Sequence, residues 1–160
     1  MRFPILWRWL VLAAYAFWLG GFVFYAAVVV PIGTEVLESR VEQGFITRQV
    51  TFWINVSGAV ALTLFALDLL LPPRRLRIGM LSLWAMMAIA QVVLFWLHPR
   101  MDVLMDLETH RVLERAEFRP MHRIYLWTHT VQWIIGCVYL ALLVRRWRTD
   151  DIATARPSEN

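Results

Sequence analysis

Between Trp9 and Ile32 the chain carries no charged residue. A helix over that stretch rises about 36 Å at 1.5 Å per residue, enough to cross about 30 Å of hydrocarbon with some tilt. Three further apolar runs follow, at 50–71, 78–97 and 124–144, and charged residues crowd the segments between them. The chain is 59% hydrophobic, against about 45–50% for a soluble domain, and the excess sits in these four blocks. The pattern predicts an all-α fold, a four-transmembrane-helix bundle, with short amphipathic helices in the two longer connectors. Residues 1–148 would form the four-span membrane domain. Residues 149–160, polar throughout, would form a disordered cytoplasmic tail.

An arginine-bearing start before an apolar run also describes a signal peptide. This run is too long, and Gly20-Gly21 leads into Phe22 and Phe24 instead of a small-x-small cleavage site, so a retained first span is expected. All sixteen basic residues are arginine. They stand at the ends of apolar runs, which marks membrane topology and argues against nucleic acid. Arg74, Arg75 and Arg77 after the second run, with Arg145, Arg146 and Arg148 after the fourth, would hold that turn and both termini in the cytoplasm. The connectors at 31–49 and 98–123 then share the outer face. Trp7, Trp9, Trp53, Trp96, Trp127 and Trp147 fall near the predicted interfaces, where an aromatic belt forms.

Polar residues inside the runs are few. Asp68 is a functional flag by default, but with three arginines about a turn away it reads as an interfacial ion pair. Gln91 is the one strongly polar residue of the third run, His129 with Gln132 is expected to lie in the interior bonded to a neighbouring helix, and interhelical hydrogen bonds account for Asn55 and Ser57. Ala16 with Gly20, and Ser82 with Ala85 and Ala88, are spaced for close helix approach. Cys137, the single cysteine, reads as a packing residue. Proton or ion relay is the sharper reading of His129.

The connector at 98–123 holds three of the four histidines with five arginines and five carboxylates. Pro99 and Pro120 are expected to break the spanning helices, with a new helix over 99–117. On such a helix His98 pairs with Asp102, Asp106 with His110, and His110 with Glu114, each four residues apart and side by side. A His–carboxylate pair can bind a divalent metal, but a site needs three or four ligands. The third would come from Glu35, Glu38, Glu42 or His122. The plainer alternative is a solvated face cross-linked by ion pairs. His98 and His129, on different spans, are the one pair that could hold a haem. No nucleophile motif, phosphate loop or cysteine pair is present.

Several short motifs carry a resemblance. These are Trp18-Leu19-Gly20-Gly21 with Phe24-Tyr25 and Pro31, then Pro99-Arg100-Met101, then Phe118 and His122 before Tyr125-Leu126-Trp127 and Gln132-Trp133. The chain resembles an uncharacterised family of small four-span bacterial membrane proteins with eukaryotic transmembrane-protein relatives. Through the Trp-x-Gly-Gly element it is distantly similar to copper-resistance D-type membrane domains, although their further intramembrane histidines are missing here. The resemblance implies a four-helix membrane bundle and no established reaction. The expectation is therefore a non-enzymatic inner-membrane protein, linked to metal or ion handling at its outer face. It would act within the lipid bilayer as a homo-oligomer or with a membrane partner protein. A haem-binding redox subunit and an oligomeric transporter or channel are the alternatives.

Overall fold

The computed structural model describes residues 3–70, 77–106 and 111–155. Four rods are long and apolar enough to cross a membrane: Ile5–Val36, Arg40–Leu70, Ile78–Asp102 and Arg115–Ala155. They form an all-α four-helix bundle. The first rod is continuous but not uniform: α1 (Phe3–Tyr15), a π turn (Ala16–Gly20), α2 (Gly21–Phe24), a second π turn (Tyr25–Val29) and α3 (Val30–Val36). The second π turn has a local cause. Pro31 lacks an N–H and its ring crowds the carbonyl four residues back, so the preceding turn widens.

Three residues turn the chain into α4 (Arg40–Leu70). Glu38 takes φ 50°, in the left-handed region. The Ser39 hydroxyl then accepts from the Glu42 N–H at 3.3 Å, satisfying one of the free donors at the helix start. α5 spans Arg77–Asp102 and α6 spans Arg115–Ala155. Between them the strands β1 (Met105–Asp106) and β2 (Arg111–Val112) pair antiparallel, Met105 opposite Val112.

These connectors correct the expectations. The residues of the first connector are absorbed into α3 and the start of α4. In place of a helix over 99–117 there is the hairpin. A helix of that length would carry the chain about 27 Å away from the bundle, whereas a hairpin returns it to α6 at once. α5 runs through Pro99 to Asp102, and α6 takes up Pro120 inside the helix, just after its first turn. The tail expected from Thr149 is helical as far as Ala155, and 156–160 lie outside the described residues.

The first rod packs on α4, α4 on α5, and α5 on α6. The core threads through Val11, Trp18, Ala61, Phe65, Met80, Met87, Tyr139 and Leu143. Phe17, Ile78, Ile89 and Val92 face outward, while Gln43, Asn55, Asp68, Gln91, His98, His129, Gln132 and Arg146 are buried. Polar inside and apolar outside suits lipid, where an unsatisfied polar group facing hydrocarbon costs several kcal/mol. The protein is a membrane protein.

Close approaches fall elsewhere than expected. Ala16 and Gly20 are exposed, and nothing lies within 4 Å of a Cβ at Gly20. Ser82 is exposed and Ala85 and Ala88 are only half-buried. Cys137 is exposed too. The tight crossings are at Gly33 against Gln43, Gly58 against Trp18 and Gln91, and Gly136 against Leu19.

Candidate functional site: a buried polar column

α6 buries Tyr125, His129, Gln132, Gly136, Tyr139, Leu143 and Arg146, a seam spaced by three and four residues. That spacing keeps one face of a helix toward its neighbours. α4 answers with Gln43, Asn55 and Asp68, and α5 with Gln91 and His98. The polar groups form three layers between the hairpin end of the bundle and the end that carries both termini.

At the hairpin end Arg48 Nε lies 2.7 Å from Asp102 Oδ1, with its N–H not aimed at the oxygen. His98 Nε2 stands 3.7 Å from the other carboxylate oxygen. The rings of Phe52 and Tyr125 flank His98, at 6.0 and 6.2 Å between centroids. Beside this layer Gln43 Nε2 donates to Tyr25 OH at 3.3 Å, and Tyr25 OH donates to Thr47 Oγ1 at 3.0 Å.

The middle layer is a chain of neutral groups. Asn55 Nδ2 donates to Tyr125 OH at 2.8 Å. Gln91 Nε2 donates to the Asn55 carbonyl at 3.0 Å. Gln132 Nε2 donates to Gln91 Oε1 at 3.1 Å and to the Met87 carbonyl at 2.9 Å. His129 stacks on Phe22, centroids 5.0 Å apart, and meets the Tyr125 ring edge-on at 4.8 Å. His129 Nε2 and Asn55 Oδ1 are buried with no hydrogen-bond partner among the described residues. An unsatisfied buried polar atom costs about 1–3 kcal/mol.

At the terminal end Arg146 forms a buried ion pair with Asp68 and also donates to the Asp68 carbonyl at 3.3 Å. Trp7 Nε1 donates to Asp68 Oδ1 at 3.0 Å. Arg8 grips Asp151 through two hydrogen bonds, of 2.8 and 2.9 Å, and lies 5.4 Å over the Trp147 ring. The Asp151 side chain is 60% exposed, so this outer pair is screened by water and salt. Asp151→Asn is expected to leave the unfolding midpoint in a detergent titration unchanged. Between the middle and terminal layers the interior is filled by Ala61, Leu62, Phe65, Met80 and Leu143, with Tyr139 stacked on Phe65 and its buried hydroxyl without a hydrogen-bond partner among the described residues.

The slab dimension is visible in this layering. From Arg48 to Asp68 α4 rises about 30 Å, the thickness of the hydrocarbon core. Trp9, Trp53, Trp96 and Trp127 are exposed as a belt requires, but Trp147 is buried and Trp7 turns onto Asp68.

Of the residues singled out in the sequence, Asp68, Gln91, His129 and Gln132 are all buried in the column. His98 and Asp102 come together as their spacing implied. Asp106 is in β1, Glu114 is exposed just before α6, and His122 stacks on Phe118 at 5.6 Å. His110 lies outside the described residues. No three His, Cys, Asp or Glu side chains stand together among the described residues. The expected convergence on a third metal ligand is therefore absent there, because the hairpin replaces the helix that would have aligned the pairs. The Tyr125 ring contacts both His98 and His129. Arg74 and Arg75 lie outside the described residues, and Arg77 opens α5. Arg145 and Arg148 are exposed. Arg146 is not an interfacial arginine: it turns inward and supplies the counter-charge for Asp68, which the turn arginines were expected to provide.

Tyr125, Tyr139, Arg48, Trp7 and Trp18 were not nominated from the sequence. A signal for the seam existed: Tyr125, Gln132, Tyr139 and Arg146 recur every seven residues on one face. The arrangement offers charge-paired ends, a neutral hydrogen-bonding middle nearer the hairpin end, and a section toward the termini that is apolar apart from the Tyr139 hydroxyl. Searches of protein-family models, curated proteins and solved structures find no match for this chain.

Proposed function

We propose that this is a non-enzymatic bacterial inner-membrane protein that receives a small cation at its outer face. The hairpin end faces outward and both termini are cytoplasmic, as the arginine placement favours. The same reading places the chain among the small four-span bacterial membrane proteins that it resembles. The observation that carries it is the Arg48–Asp102–His98 layer. Asp102 and His98 present a carboxylate and a ring nitrogen side by side. Arg48 neutralises the carboxylate without a well-aimed hydrogen bond, so it acts as a replaceable counter-charge. A cation that displaces it gains two protein ligands at the hairpin end of the buried polar column, and further ligands come from water or the connector.

Cation binding to the purified protein in nanodiscs, followed by native mass spectrometry with divalent metals, tests this directly. Wild type is expected to take up one equivalent. Asp102→Asn is expected to abolish uptake, and Arg48→Gln to strengthen it by removing the competing charge. Equal uptake by wild type and Asp102→Asn, or none by wild type and Arg48→Gln alike, overturns the assignment.

A further inference from the structure

We propose that Arg119 and Arg123, on the outward side of α6, bind the headgroup phosphate of an anionic phospholipid in the leaflet at the hairpin end, with Arg115 extending the basic stripe. The proposal depends neither on the cation reading nor on which leaflet faces outward. α6 starts at Arg115, and Arg115, Arg119 and Arg123 are all exposed. Residues four apart drift by about 40° per step, so the three lie within an arc of about 80°. Glu117, the acid of the first turn, falls about 200° round the axis from Arg115 and again from Arg119, on another side of the helix. None of the three arginines makes an ion pair or a side-chain hydrogen bond among the described residues. A solvated helix face commonly alternates both signs. This one is basic alone, and it stands at the positive end of the helix dipole, which favours a bound anion.

The level of the stripe identifies the anion as a lipid. Gln132 bonds Gln91, and seven residues further along each helix Tyr125 meets His98. α5 and α6 are therefore antiparallel in a register that sets Trp96 level with Trp127 and Arg100 level with Arg123. Trp96 and Trp127 are 54% and 65% exposed, and the Arg100 guanidinium lies 3.9 Å over the Trp96 ring. Both helices thus repeat one order: an outward indole, then an arginine about 6 Å nearer the hairpin end. Exposed indoles settle at the headgroup boundary of a bilayer, and the arginine one turn beyond them stands among the phosphates. In the same register Asp102, which holds Arg48, falls between Arg119 and Arg123, and Arg48 marks one edge of the hydrocarbon slab. On the other side of Trp127 the outward face of α6 continues with Val131, Ile134 and Val138, all exposed. A cationic pair above an indole, with an apolar strip below it, matches the phosphate and acyl chain of one lipid. Guanidinium suits the phosphate because its planar fork donates two parallel hydrogen bonds.

Native mass spectrometry of the full chain in detergent, titrated with phosphatidylglycerol or with phosphatidylcholine of the same acyl chains, tests the assignment. Wild type is expected to retain phosphatidylglycerol in preference to phosphatidylcholine. Arg119→Gln and Arg123→Gln are each expected to weaken phosphatidylglycerol binding about fivefold, the usual contribution of one basic residue at a membrane surface. The Arg119→Gln, Arg123→Gln double variant is expected to lose the preference, and Arg119→Lys with Arg123→Lys to keep part of it. Arg145→Gln with Arg148→Gln removes the same charge from exposed positions at the opposite end and is expected to bind as wild type does. All four positions are exposed, and far-ultraviolet circular dichroism checks that each variant keeps its helices. Equal retention of the two lipids by wild type would overturn the site. So would an unchanged preference in the Arg119→Gln, Arg123→Gln variant, or a loss as large in the Arg145→Gln, Arg148→Gln variant.

Discussion

Arg146→Ala is expected to lower unfolding free energy by about 3–5 kcal/mol, the cost of leaving one partner of a buried ion pair uncompensated. Asp68 is 1% exposed and Arg146 5%, so water cannot replace the lost charge. Trp7 still donates to the carboxylate, but a neutral indole does not balance a full negative charge. Arg145→Ala, one residue away and exposed, is expected to stay within about 0.5 kcal/mol of wild type. The Asp68→Leu, Arg146→Leu double variant should recover most of the loss, because two apolar side chains replace a pair whose desolvation offsets its attraction. Reversible denaturation in mixed micelles, followed by far-ultraviolet circular dichroism, measures all three. Matching midpoints for Arg146→Ala and Arg145→Ala would show that α6 is not rotated as described.

Gly58→Val carries the second large effect, about 3 kcal/mol or more. Its Cβ would stand 2.6 Å from Gln91 Oε1 and 2.7 Å from Trp18 Nε1. The Gln91 amide is held from two sides, by the Asn55 carbonyl and by Gln132, and cannot retreat without breaking both hydrogen bonds. Gly20→Val provides the comparison. Nothing lies within 4 Å of its Cβ, and a branched residue facing lipid is expected to be tolerated within about 0.5 kcal/mol. The same titration separates the two, and a Gly20→Val loss as large as that of Gly58→Val would reverse the assignment of the packing face.

Ala16 and Gly20 show why small-residue spacing alone did not locate that face. A small pair four apart permits close approach from either side of a helix, and the rotation of the rod decides whether anything approaches. The first rod is turned by its π segments, so Trp18 and Leu19 meet the bundle and Gly20 does not. Asp68 failed for a related reason. Three arginines close by in sequence made the turn a natural partner, but the helix ended with its carboxylate facing the last span. The hairpin after Asp102 could not be read from His–carboxylate spacing, since four-residue intervals mean adjacency only where the chain is already helical.

By itself the sequence determined that four stretches are long and apolar enough to cross a membrane, roughly where each begins and ends, and that His129 and Gln132 turn inward. Lipid imposes those conditions segment by segment, through length and solvation, without reference to any neighbour. The tertiary structure alone decided the pairings: Arg146 with Asp68, Arg48 with Asp102, Asn55 with Tyr125, Trp18 with Gly58. Those depend on the rotation of each helix about its own axis. Rotation follows from shape complementarity and hydrogen bonding across interfaces, because lipid, being as apolar as the side chains it touches, gives almost no preference of its own.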